Sequence, residues 1–142
     1  MTSPVPDRDR NRLEEELLRA FPDLQGVYLF GSAASGAQRE GSDVDLGLLL
    51  PPGGPPPDPW RLWETGARLE EVLGRPVDLV DLRRADTVFR HQVVSTGRLL
   101  LVRDPRAAAE FEMLTLSFYQ KLNEERREIL EEIRRTGRVL HP

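Results

Sequence analysis

The chain contains no cysteine in its 142 residues, so a disulfide framework, a thiol nucleophile and a thiolate zinc site are excluded. No apolar run approaches the ~18 residues that a membrane helix needs. The first residues, Met1-Thr2-Ser3-Pro4-Val5-Pro6-Asp7-Arg8, lack the apolar segment of an export signal. The expected location is therefore the cytoplasm, without membrane contact. Lysine is almost missing: Lys121 is the only one, and the other basic residues are arginines. An anionic ligand must be met by arginine, backbone N–H groups or metal. Positive charge is also in deficit, with a formal net charge of −4, which argues against direct binding along a nucleic-acid backbone. No internal repeat divides the chain, and its length suits one domain with a single core.

What is present alternates between helical and strand periodicity. Leu13, Leu17, Leu18 and Phe21 recur at helical spacing from Asp7 to about Phe21, and Pro22-Asp23 stops that helix; residues 1–6 read as disordered. Gln25 to Phe30 and Asp43 to Leu50 read as strands, with a small polar segment at 32–41 between them, read as a helical turn and a loop. The proline-rich run from Pro51 to Pro59 reads as a stiff loop, with a polyproline ligand as the lesser alternative. Asp58-Pro59 caps a helix through Leu73, burying some of Trp60, Leu62, Trp63, Ala67, Leu69, Val72 and Leu73. Val77 to Leu82 is a short strand, Asp86 to Thr96 a short helix carrying Val88, Phe89, Gln92 and Val93, and Arg98 to Val102 a last strand with Leu99 and Leu101 facing opposite to Leu100. The core spans about residues 8–103. A long helix follows at about residues 105–136, with Phe111, Leu114, Phe118, Leu122, Ile129 and Ile133 as its stripe and Glu131 placed to pair with Arg135. Either part of that stripe overhangs and docks a partner, or the helix lies wholly on its own sheet or on the N-terminal helix.

Chemistry concentrates in one strand–turn–strand unit. Val27-Tyr28-Leu29-Phe30 runs into Gly31-Ser32, and Ser42-Asp43-Val44-Asp45-Leu46 opens the next strand. In a strand, residues i and i+2 share a face at roughly 6.5–7 Å. Asp43 and Asp45 therefore aim at one spot, with Val44 on the opposite, buried face. Two carboxylates placed so can bridge a pair of Mg²⁺ ions, and the Gly31-Ser32 turn offers N–H groups and a hydroxyl to phosphate oxygens. Together they point to Mg²⁺-dependent chemistry on a nucleoside triphosphate. If the Val77–Leu82 strand lies beside the second strand, Asp78 completes a triangle of carboxylates; alternation turns its competitor Asp81 to the other face. Rival motifs fail. Gly31 to Gly36 starts like a P-loop, but Ala37-Gln38 stand where Lys-Ser/Thr must be. Asp43-x-Asp45-x-Gly47 has its glycine too early for an EF-hand.

Gly31-Ser32, ten further residues and Asp43-x-Asp45 resemble the signature of the DNA polymerase β-like nucleotidyltransferase superfamily, most of all its minimal nucleotidyltransferases. The resemblance runs from about Val27 to Leu101. It implies an α+β fold, a small mixed sheet flanked by helices, with Gly31, Ser32 and Ser42 at the nucleotide. It also implies two Mg²⁺ ions on Asp43, Asp45 and Asp78, with Asp78 accepting the proton of the attacking hydroxyl. ATP is the implied donor. The implied partner is an all-helical HEPN-domain ribonuclease toxin, neutralised by AMP on a tyrosine, by binding, or by both. Ser35 departs from the pattern, standing where many relatives carry Arg or Lys. A small-molecule acceptor and a binding-only antitoxin remain as other classes; the intact carboxylates argue against the second, because unneutralised like charges repel. Arg39, Arg83 and Arg84 are candidate triphosphate contacts, and His91 reads as a partly buried structural histidine rather than an acid–base group.

Overall fold

A computed structural model of the chain describes residues 5–31 and 43–137. Its elements are α1 (Asp7–Ala20), β1 (Gly26–Phe30), β2 (Val44–Leu49), α2 (Pro59–Leu73), β3 (Val77–Asp81), a 3-10 turn (Leu82–Arg84), α3 (Thr87–Thr96), β4 (Arg98–Val102) and α4 (Pro105–Thr136). Ser32, Ser35, Arg39, Ser42 and the expected turn and loop at 32–41 lie outside the described residues. The Asp58 cap expected from sequence forms, the Trp60 N–H donating to Asp58 Oδ1 at 3.0 Å, and the Ala107 N–H donates to Asp104 Oδ1 at 3.0 Å at the start of α4.

The strands form one mixed sheet in the order β3-β2-β1-β4. β1 pairs antiparallel with β2 and with β4, while β2 and β3 run parallel. The parallel pair follows from the α2 crossover, since parallel neighbours cannot be joined by a tight hairpin. Both faces are covered, which is why β2 reads as a nearly continuous apolar run. Val27, Leu29, Val44, Leu46 and Leu48 pack with Leu13, Leu17 and Leu69 of α1 and α2. Tyr28 and Leu49 pack on the other face with Leu82, Val93, Ala108 and Phe111. Gly47 lets Leu82 sit directly on β2: a Cβ there would fall 2.8 Å from the Leu82 side chain.

Several local expectations are corrected. Val5 is fully buried among the α1 and α2 residues, so its apolar side chain orders at least this end of the stretch read as disordered. Trp60 and Trp63 are each 64% exposed and stack on one another at 5.0 Å; Thr65, Gly66 and Leu69 carry the buried face of α2. A bulge breaks the alternation of β4: Tyr28 pairs with Leu99 and Val27 with Leu101. The extra residue, Leu100, packs with Leu101 against the same cluster rather than opposite to it. Arg135 reaches Glu132 at 2.6 Å instead of Glu131.

Only the N-terminal part of α4 is seated, through Ala108, Phe111 and Thr115, along α3. Met113, on the outward side of that stretch, and Leu116, Phe118, Ile129 and Leu130 further on are exposed. The apolar stripe overhangs the core, and α4 does not run along α1.

Candidate active site

Register decides which side chains meet. Asp45 on β2 is paired with Phe30 on β1 and with Asp78 on β3. Directly paired residues present the same face, so Phe30, Asp45 and Asp78 form a row across three strands, at about 4.8 Å per strand step. Asp43 precedes β2 on that face and is exposed, as is Asp78; Asp45 is half-buried. Val44 is fully buried on the opposite face. β1 ends at Phe30 and turns at Gly31, whose φ is +75°. That left-handed conformation suits glycine. A Cβ at Gly31 would collide with Asp45 Oδ2, so the turn and the carboxylate are in direct apposition.

The electrostatics follow from this crowding. Burial, then Asp78, then Asp43 push the Asp45 carboxyl above its ordinary pKa. Among the described residues no Arg, Lys or His pairs with any of the three. Nor, among those residues, do three His, Cys, Asp or Glu side chains converge on one point as a ready-made metal site. An all-oxygen, net-negative donor set fits a hard divalent cation such as Mg²⁺. Ionised Asp45 is thus a cost to the metal-free fold. Asp45→Asn is expected to raise the thermal midpoint in chelator, by a small amount because solvent screens the partly exposed group. Mg²⁺ should stabilise the wild type more than this variant; melts with chelator and with Mg²⁺ check both, and an unstable variant in chelator would contradict the charge crowding.

The remaining candidates separate clearly. Asp81 pairs in register with Leu48, at the other end of β2, and is held by Arg84 at 3.4 Å. Arg83 donates to Leu50 O and, at 2.7 Å, to Gln25 Oε1, while Arg84 donates to Gly54 O at 2.8 Å. Both arginines therefore serve the end of the sheet away from Asp45 and are not brought to the carboxylates. His91 stacks on Tyr119 at 3.6 Å with Ser95 Oγ 3.1 Å from its Nε2, which supports its structural reading. Sequence reasoning missed Phe30 as a member of the row. Its place beside Gly31 and at hairpin register with Asp45 was the available signal.

A model of the polymerase β nucleotidyltransferase family matches residues 14–106. The chain belongs to that family. The matched nucleotidyltransferase span includes every strand among the described residues and all three carboxylates, and leaves most of α4 outside. The chain is 36% identical over 125 residues to the protein adenylyltransferase MntA of Shewanella oneidensis, covering 88% of this chain and 87% of the relative. Among solved structures it resembles a toxin–antitoxin with AMP-PNP, at 36% identity and TM-score 0.71, covering 87% of this chain and 97% of the other. It also resembles a tri-AMPylated Shewanella oneidensis HEPN toxin in complex with its MNT antitoxin, at 34% identity and TM-score 0.66, covering 89% and 96%. Among the described residues no helix is long and apolar enough to cross a membrane.

Proposed function

We propose that this nucleotidyltransferase moves AMP from ATP to a tyrosine hydroxyl of a HEPN-domain toxin and so acts as its antitoxin in the cytoplasm. The observation that carries the reading is the register pair Asp45–Asp78 beside the Gly31 turn. The similarity to MntA and to the AMPylated toxin complex supports the choice of group and acceptor.

In this reading the Gly31 turn holds the distal phosphates through backbone N–H groups. Asp43, Asp45 and Asp78 would hold Mg²⁺, which when bound supplies Lewis-acid charge for the phosphates and eases deprotonation of the hydroxyl. Asp78, at the β3 end of the row, takes the tyrosine proton. The phenolic oxygen bonds to the α-phosphorus, the bond from that phosphorus to the bridging oxygen breaks, and pyrophosphate leaves. Val44, Leu46 and Leu48 anchor β2 from behind, so the carboxylates are positioned by a packed strand. The exposed apolar row of α4 is surface that a helical partner would cover.

Incubation with ATP, Mg²⁺ and the HEPN partner, followed by intact-mass measurement, tests this. The partner should gain the mass of one or more AMP groups on tyrosine. An unmodified partner with no pyrophosphate released would overturn it, and bound but unmodified partner would leave a binding-only antitoxin.

A further inference from the structure

Among the described residues β3 is an edge of the sheet. The Val44 N–H donates to Pro76 O at 2.8 Å, so Pro76, Asp78 and Val80 turn their backbone groups to β2, and Val77 and Leu79 turn theirs outward. Glu70 Oε1 accepts from the Val77 N–H at 3.2 Å, and the Val77 carbonyl lies 3.3 Å from where a Cβ on Gly66 would stand. Leu79 is the next residue to present its backbone at this edge. Between the edge and α2 runs a groove of about 290 Å³, lined by Leu62, Trp63 and Glu70 from the helix and by Val77, Asp78 and Leu79 from the strand. That is just under the small-ligand range of about 300–1,000 Å³, room for one side chain rather than for a nucleotide. At its rim Trp63 stacks on Trp60, and both indoles are exposed. Tryptophans left in water on a packed helix are anchors of the kind that dominate protein interfaces. The charged residues of the lining, Glu70 and Asp78, are both carboxylates.

The reaction says what enters from this side. Displacement at phosphorus puts the attacking and leaving oxygens roughly in line. With pyrophosphate held at the Gly31 turn after β1, the attacking hydroxyl arrives over β3, where Asp78 stands and the sheet ends. The groove lies around that edge from the carboxylates, and Asp78 belongs to both. We propose that it receives the tyrosine-bearing segment of the protein acceptor. The tyrosine reaches the carboxylate face, while a neighbouring apolar side chain of the same segment enters the groove against Trp63, and Trp60 extends the contact. An extended chain advances about 3.3 Å per residue, so a residue two or three places from the tyrosine reaches the Trp63 rim. A lining whose only charges are negative favours a segment with basic rather than acidic neighbours. This rests on the nucleotidyl-transfer reading above and adds to it a determinant of which tyrosine is modified.

Steady-state AMP transfer to the HEPN partner, with Mg²⁺ and saturating ATP, tests this on Trp63→Ala and on the double variant Trp60→Ala, Trp63→Ala. Both indoles are exposed, so the fold should survive their loss. The KM for the partner should rise at least about tenfold in the double variant, with kcat within about threefold and ATP affinity, by calorimetry, within about twofold. With p-benzoylphenylalanine in place of Trp63, irradiation of the complex should join the two proteins within about five residues of the tyrosine that accepts AMP. An unchanged KM for the partner in the folded double variant would overturn the proposal and leave the transfer reading standing. So would a cross-link confined to a part of the partner remote from that tyrosine, or a loss of ATP affinity as large as the rise in KM. A wild-type chain that releases no pyrophosphate with the partner present would overturn both.

Discussion

Asp45→Asn should lower the rate of AMP transfer by about a thousandfold or more, because charge stabilisation at such a site is worth several kcal/mol and ~1.4 kcal/mol is tenfold. Asp45 sits at the middle of the row, in register with Asp78 and against the Gly31 turn. In the proposed reading its loss takes one carboxylate from the set that would hold Mg²⁺. Asp43→Asn should act similarly. Asp78→Asn loses the proposed proton acceptor as well, a role usually worth about 10²–10⁴-fold. Pyrophosphate release measured on folded variants checks all three. Activity within tenfold of wild type in Asp45→Asn would remove the carboxylates from the chemistry. Because the same substitution relieves charge crowding in the metal-free fold, stability and activity should move in opposite directions, as expected of a functional cluster rather than a structural one.

Gly31→Val should be nearly as damaging. A β-branched residue at φ +75° is strained by roughly 1–2 kcal/mol, and its Cβ would also drive into Asp45 Oδ2. Displacing that carboxylate by about 1 Å is enough to cost on the order of 10²-fold in rate. Gly53→Val is the control. Gly53 has φ +81°, but no atom lies within 4 Å of the Cβ it would carry. The two variants share the backbone strain, and only Gly31→Val strikes the carboxylate. Comparable losses of activity in both would show that strain alone was responsible.

Much of this architecture was legible because local chemistry and tertiary environment agree. Asp58-Pro59, Asp86 and Asp104 mark helix starts by the hydrogen bonds their side chains make. Alternation around Val44 assigned Asp43 and Asp45 to one face. Asp78 was separable from Asp81 by the same rule, and the structure adds what alternation could not supply, the register that places it opposite Asp45. The β4 bulge was invisible because its three leucines are chemically equivalent, so nothing in their identity says which is the extra residue. Trp60 and Trp63 stood with Leu69 among the candidates for the buried face of α2, and the helix turns Leu69 inward and leaves the indoles to each other.

Two reactions on ATP would look alike to a nucleotide-consumption assay, transfer of the α-phosphoryl group with its nucleoside and transfer of the γ-phosphoryl group alone. ATP radiolabelled at one phosphorus or the other, incubated with the HEPN partner and Mg²⁺, tells them apart. Label from the α-position should appear on the partner, and label from the γ-position should leave in pyrophosphate, with neither retained when Asp45→Asn replaces the wild type. Partner labelled from the γ-position, or α-label transferred undiminished by Asp45→Asn, would contradict a nucleotidyltransferase built on these carboxylates.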